Sequence, residues 1–129
     1  MNLAIVQLSD LHISSIDNPV LSRAEAIRCA VQARIPVDCA LLLSYTGDIA
    51  FSGTTPEYEI ANRFIDEVSA KLRQITGVSI LGTAIVPGNH DCNFLSSGDA
   101  RPVLLSSVSS NLASVALAGE SIQQLLTAC

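Results

Sequence analysis

An almost continuous apolar run, CALLLSY, occupies residues 39–45 and is followed directly by Thr46, Gly47 and Asp48. A run of this length with so few polar positions is typical of a strand buried on both faces of a parallel sheet. Similar runs at residues 3–8 and 78–86 lie before and after it in the sequence. The pattern therefore predicts three strands, of which the first two are buried.

The segments between these strands have helical periodicity. Apolar residues recur every three or four positions over residues 20–35, and Asn18 with Pro19 are typical of a helix start. A second helix is predicted from about Pro56, with Thr54 or Thr55 as its cap. Its predicted buried face is Tyr58, Ala61, Phe64, Ile65, Val68, Leu72 and Ile75.

The order of strand, helix, strand, helix, strand defines the predicted fold class. Right-handed crossovers make the three strands parallel, which gives an α/β protein with a βαβαβ arrangement over residues 1–93. We predict a loop and then helices over residues 94–129, with an interruption at Gly119. We expect one domain that spans residues 1–129.

Composition limits the classes of protein to which the chain can belong. Its 129 residues are 49% hydrophobic and 15% charged, which suits a packed core. The net charge is −5 with seven lysines plus arginines, so we expect no nonspecific nucleic-acid binding. The longest uncharged stretch, residues 102–119, is interrupted by serines and Asn111, so we expect no membrane span.

Two features favour a cytoplasmic location. The chain begins close to the first predicted strand without a signal-peptide pattern, and its cysteines show no CxxC spacing. We therefore expect free, buried thiols in a reducing compartment. The four cysteines are Cys29, Cys39, Cys92 and Cys129.

Potential metal ligands follow each predicted strand. Asp10 and His12 follow the first strand, Asp48 the second, and Asn89 with His90 the third. Because the carboxyl ends of parallel strands meet at one edge of a sheet, we expect these side chains to converge there. Carboxylate, imidazole and amide ligands suit two divalent ions such as manganese, iron or zinc, and Asp48 is our choice for a carboxylate that bridges them.

Three segments carry a family resemblance. SDLH at residues 9–12, GDIAFSG at 47–53 and VPGNHD at 86–91 resemble, in order, the first three signature blocks of the calcineurin-like metallophosphoesterases. The resemblance implies the N-terminal, parallel βαβαβ half of an α/β sandwich. It also implies hydrolysis of phosphate mono- or diesters by a water that two metal ions activate.

The resemblance also implies a role for each ligand. Asp10 and His12 would bind the first metal, Asp48 would bridge both, and Asn89 would bind the second. His90 would not be a metal ligand. It would stabilise charge on the phosphate or protonate the leaving oxygen.

One further role and one departure follow from the same resemblance. Asp91 would orient the imidazole of His90. Members of the family carry additional histidine ligands in their second half, whereas this chain contains two histidines in all. We therefore expect a truncated form that is inactive or weakly active, and that self-associates through its incomplete sheet.

Other interpretations remain open. Taken singly, Asp10 and Asp48 could cap helices, and His12 could be an ordinary loop residue. A catalytically inactive metallophosphoesterase-like scaffold is the main alternative to the enzyme. A nucleotide-binding doubly wound domain is disfavoured because no glycine-rich dinucleotide loop or P-loop follows a strand.

Overall fold

The computed structural model describes residues 2–93, of which residues 2–91 form a small α/β domain with a three-stranded parallel sheet. This confirms the predicted order of strands and helices. The helices predicted over residues 94–129 lie outside the described residues. In chain order the elements are β1 (Asn2–Leu8), a 3-10 helix (Pro19–Arg23), α1 (Ala24–Gln32), β2 (Cys39–Thr46), α2 (Thr55–Leu72) and β3 (Val78–Val86).

The sheet has the order β1-β2-β3, so the apolar run at residues 39–45 forms its central strand. β1 pairs with β2 in a regular parallel register in which Leu3 is opposite Ala40. β3 pairs with the other edge of β2, with a register shift between Leu41 and Leu42. The central position explains why no residue of β2 is exposed.

Both α-helices pack on the same face of the sheet, as expected when successive crossovers have the same hand. The core lies between this face and the helices. Most of the predicted buried face of α2 is buried, whereas Tyr58 is half-buried. The largest fully buried side chains are Tyr45, Phe64, Ile13, Leu41, Leu43, Leu72 and Val68.

The opposite face of the sheet is not covered by any element within residues 2–93. Leu3 and Ile5 of β1 are 64% and 65% exposed, and Leu81 of β3 is also exposed. The prediction that β1 is buried on both faces is therefore wrong for the described residues. The apolar composition of β1 did not distinguish burial on one face from burial on two.

The first helical segment differs from its prediction. Residues 20–35 do not form one helix, because a 3-10 turn precedes α1 and α1 ends at Gln32. The Asn18 side chain accepts a hydrogen bond from the amide of Val20 (3.0 Å). The carbonyl of Asn18 accepts one from the amide of Leu21 (3.1 Å), an i to i+3 bond that closes the tighter turn.

Glu57 connects the start of α2 to the preceding loop. Its carboxylate accepts hydrogen bonds from the amides of Thr54 (3.1 Å) and Ser52 (3.0 Å) and from the Ser52 hydroxyl (2.8 Å). Burial acts to raise the pKa of Glu57, but these hydrogen bonds outweigh it and hold that pKa below its ordinary value. The ionised carboxylate therefore stabilises the loop that follows β2.

The three described cysteines differ in burial and in oxidation state. Cys39 is a buried free thiol and Cys29 is a free but exposed thiol. Cys92 takes part in a disulfide bond, so the expectation of free, buried thiols throughout is wrong.

No helix within residues 2–93 has both the length and the apolar composition needed to cross a membrane.

Candidate metal centre

Backbone hydrogen bonds join the loops that follow the three strands. The amide of His12 donates to the carbonyl of Asp48 (2.9 Å), and the amide of Gly47 donates to the carbonyl of Val86 (2.8 Å). A parallel bridge between Ile13 and Ala50 continues the pairing of the first two segments beyond the strand ends. His12 and Asp48 are thus held next to each other by the main chain.

Glycines allow two of these loops to approach closely. Gly47 has φ +85°, a conformation that L-residues with a Cβ rarely adopt. A Cβ on Gly88 would lie 2.5 Å from the amide nitrogen of Asp48 and would overlap its carboxylate. Only glycine at position 88 therefore permits the observed contact between the third loop and Asp48.

Three candidate ligands have left-handed backbone conformations. The φ angles are 55° at Asp10, 45° at His12 and 51° at Asp48. Such angles are uncommon outside glycine, and they typically cost about 1–3 kcal/mol each. Asp38, the remaining described non-glycine residue with positive φ, lies at the other end of β2. The surrounding hydrogen bonds therefore hold the loops of the candidate site in conformations that the isolated chain disfavours.

His12, Asp48 and His90 converge at this edge of the sheet. One potential ligand atom from each residue lies within 4.8 Å of the other two, and all three residues are half-buried. The imidazole rings of His12 and His90 meet edge to face with their centroids 4.8 Å apart. Within the described residues this is the single group of three or more histidine, cysteine or acidic side chains with such geometry.

Hydrogen bonds to the main chain fix the orientation of His90. The amide of His90 donates to Oδ1 of Asp48 (3.0 Å). The ring nitrogen Nδ1 of His90 lies 2.8 Å from the carbonyl oxygen of Phe51. Because a carbonyl oxygen can only accept, Nδ1 carries the proton, and Nε2 of a neutral ring keeps its lone pair.

His12 has a buried polar atom without a partner. Its Nδ1 is inaccessible to solvent and has no hydrogen bond. Buried polar atoms in proteins are rarely left unpaired, because the loss of their hydrogen bond to water carries a free-energy cost. The ring of His12, which has one nitrogen close to ligand atoms of Asp48 and His90, is therefore not held by a hydrogen bond at Nδ1.

Asp91 holds the loops together through the main chain. Its side chain is buried, and its Oδ1 accepts from the amide of Ala50 (2.8 Å) while its Oδ2 accepts from the amide of Gly88 (2.8 Å). The resemblance implied instead that Asp91 orients the ring of His90. In the structure the Phe51 carbonyl makes that contact, and the Asp91 carboxylate joins the second loop to the third.

Tyr58 adds a further connection from α2 to the third loop. Its hydroxyl donates to the carbonyl of Asp91 (2.7 Å). Burial, followed by the nearby charge of Asp91, raises the pKa of Tyr58 to about 12. The phenol is therefore protonated at neutral pH and remains a donor.

Asp10 and Asn89 differ in burial from the three converging residues, which are half-buried. Both side chains are exposed. Asp10 is not part of the group whose ligand atoms lie within 4.8 Å of one another, although its amide donates to the carbonyl of Gly47 (3.2 Å). Asp10 and His12 were both predicted to bind the first metal. The structure brings His12 close to Asp48 and His90, whereas Asp10 is not part of that group.

Phe51 and Tyr58 make contacts at the site that the sequence did not predict. Phe51 supplies the carbonyl that contacts His90, and its own ring lies 5.7 Å from the His90 ring and 6.3 Å from the His12 ring, measured between centroids. Phe51 lies inside the second signature segment, which was a local signal that this residue was near the site. No local pattern indicated the hydrogen bond from Tyr58.

Comparisons of the chain with protein-family models, with curated proteins and with solved structures found no significant match. The family resemblance therefore depends on the three signature segments alone. The geometry adds one possible metal-binding triad at the place where those segments meet.

Proposed function

We propose that the chain is a metal-dependent phosphoesterase that hydrolyses phosphate mono- or diesters with a water activated at two divalent cations. The observation that carries this proposal is the convergence of His12, Asp48 and His90 at the carboxyl edge of a parallel sheet. In sheets of this type, ligands bind at that edge. The three side chains come from the three segments that resemble metallophosphoesterase signatures.

The donor atoms suit such cations. Imidazole and carboxylate together favour borderline first-row ions such as zinc, manganese or iron. One ring nitrogen of His12 lies within 4.8 Å of ligand atoms of Asp48 and His90, which supports the same view. The net charge of −5 means that positive charge for an anionic substrate must come largely from bound ions.

The proposed ligand arrangement follows the resemblance. Asp10 and His12 would hold one cation, Asn89 would hold the other, and Asp48 would serve both. Bound divalent cations would neutralise phosphate charge and lower the pKa of a coordinated water. Asp48 is suited to the shared position because it follows β2, the central strand of the sheet.

His90 is the residue proposed to face the phosphate. The Phe51 carbonyl holds the proton on Nδ1, so Nε2 is the nitrogen that can act on substrate. With both nitrogens protonated, His90 can donate from Nε2 to a phosphate oxygen or to the leaving oxygen. Asp91 contributes by holding the backbone of this loop against the loop that follows β2.

Hydrolysis assays test the proposal. The chain would be incubated with Mn²⁺ and either p-nitrophenyl phosphate or bis(p-nitrophenyl) phosphate. Slow, cation-dependent release of nitrophenol is expected, and Asp48→Asn should reduce it by more than about 100-fold, because even outer-shell partners of a metal typically contribute 10–100-fold. Asp17→Asn is the matched control, since Asp17 is exposed and lies outside the site. Hydrolysis that persists in EDTA or in Asp48→Asn would contradict the proposal.

One observation favours a second candidate, a cation-binding module without turnover. The chain contains two histidines, and both belong to the one triad, so no third imidazole is available for a second cation. This candidate predicts cation binding that Asp48→Asn removes, together with no hydrolysis of either ester. The same set of assays therefore separates the enzyme from the module.

A further inference from the structure

We infer that the first divalent cation to bind this chain is held by His12, Asp48 and His90, with Nε2 of His90 as one ligand. It describes the chain with one cation bound, whereas the arrangement proposed above has two cations and leaves His90 free to face the phosphate. It concerns cation binding alone and does not depend on phosphoester hydrolysis. Two imidazoles and one carboxylate are a ligand set typical of a borderline ion such as zinc.

The hydrogen bond of His90 to Phe51 is the first argument. Histidines that bind metals almost always donate their other ring N–H to a carboxylate, a backbone carbonyl or water, which fixes the tautomer and the ring orientation. Nδ1 of His90 makes this contact with the Phe51 carbonyl at 2.8 Å. Nε2 is then the nitrogen with a lone pair for a cation.

The second argument is independent of the first and comes from His12. Its Nδ1 is buried and has no hydrogen-bond partner. The ring of His12 lies edge to face with that of His90, at 4.8 Å between centroids. One ring nitrogen of His12 lies within 4.8 Å of ligand atoms of Asp48 and His90, and no hydrogen bond competes with a cation for Nδ1.

The backbone also fixes Asp48 within reach of both rings. The His12 amide donates to the Asp48 carbonyl, and the His90 amide donates to Oδ1 of Asp48. Ligand atoms of the three residues lie within 4.8 Å of one another. Atoms that bind one zinc ion at about 2.0–2.2 Å lie roughly 3–4 Å apart, so side-chain shifts of about 1 Å complete the site.

The exposed positions of Asp10 and Asn89 agree with this inference. Neither side chain is needed to complete a three-residue site, and Asp10 is not part of the converging group. When one cation occupies the triad, Nε2 of His90 is occupied and cannot reach a phosphate. The single-cation form is therefore expected to bind metal without hydrolysing esters.

NMR spectroscopy of the histidine rings tests the inference directly. The full chain contains two histidines, so a long-range ¹H–¹⁵N spectrum contains two ring systems. On addition of one equivalent of Zn²⁺, the Nε2 resonance of His90 is expected to shift while Nδ1 stays protonated. Unchanged His90 resonances at one equivalent would overturn the inference. Because the measurement uses the unsubstituted chain, this result cannot be attributed to a variant that fails to fold.

Calorimetric titration with Zn²⁺ provides the second measurement. We expect one strong site, and we expect His90→Ala to weaken it by more than the roughly 10–100-fold typical of losing an outer-shell partner. Asp17→Asn, at an exposed position outside the site, should bind as the unsubstituted chain does.

The outcomes distinguish the inference from the proposed function. If His90→Ala binds the first Zn²⁺ normally while Asp10→Asn does not, the inference fails and the arrangement implied by the family resemblance gains support. If the unsubstituted chain binds no Zn²⁺, both the inference and the metal-dependent function fail. If zinc binds through His90 and esters are not hydrolysed under any cation condition, the inference stands and the enzymatic proposal fails.

Discussion

Replacing Asp91 with asparagine tests whether this side chain holds the site together through the main chain. In the structure its two carboxylate oxygens accept from the amides of Ala50 and Gly88, which belong to different loops. Asparagine has nearly the same shape but offers a single acceptor oxygen. Its NH₂ group would face one of the two amide donors, so one buried amide would lose its partner.

The structure allows the size of the effect to be worked out. A hydrogen bond to a charged group contributes about 1.5–3 kcal/mol, and leaving a buried donor unpaired costs about 1–3 kcal/mol. These two figures overlap, because both describe the same lost contact. We therefore expect Asp91→Asn to lower the free energy of unfolding by about 2–3 kcal/mol. A loss of this size is large for a domain whose total stability is of the order of 5–15 kcal/mol.

Urea unfolding followed by circular dichroism measures this change. Asp17→Asn makes the same chemical substitution at an exposed carboxylate, and it should change the unfolding free energy by no more than about 0.5 kcal/mol. A loss of less than about 0.5 kcal/mol for Asp91→Asn as well would refute the assignment of Asp91 as the connection between the loops.

Three further predictions concern other parts of the domain. Gly88→Ala should weaken Zn²⁺ binding in calorimetry by at least about tenfold, because the added Cβ would lie 2.5 Å from the Asp48 amide nitrogen; unchanged affinity would contradict this. The folded-state pKa of Glu57 lies below its ordinary value of 4.5, so its stabilising contribution is present above that pH and is lost as pH falls through the lower folded pKa. Urea unfolding should therefore show a greater acid-induced loss of stability in the unsubstituted chain than in Glu57→Gln. Equal losses would contradict the stabilising role of the ionised Glu57 carboxylate. Ile5 is 65% exposed on the sheet face that no element within residues 2–93 covers, and we propose that the chain self-associates through this face. Ile5→Lys should therefore shift the sedimentation equilibrium toward monomer, and an unchanged distribution would contradict the proposal.

The strands and helices could be predicted because their signals are local. The apolar run at residues 39–45 and the periodicity around Phe64 each lie within one segment, and the structure forms a strand and a helix there. The parallel arrangement followed from the order of elements and from the handedness of crossovers. The position of His12 and Asp48 at one sheet edge then followed from their places directly after strands.

Local pattern could not predict which sheet face is exposed within residues 2–93 or how the loops of the site pack together. Leu3 is apolar whether or not anything covers β1, so its exposure depends on which face the helices occupy. The contacts of Asp91 join it to a loop 41 residues earlier in the sequence, and those of His90 span 39 and 42 residues.

The sequence by itself determined the βαβαβ order and the set of potential ligands, because hydrophobic periodicity and turn residues act over a few positions. Only the tertiary structure decided that His90 joins His12 and Asp48, while Asp10 lies outside their group. It also decided that Asp91 binds two backbone amides. The reason is that distances of a few ångströms between side chains depend on how separate loops pack, and that packing is a property of the whole sheet edge.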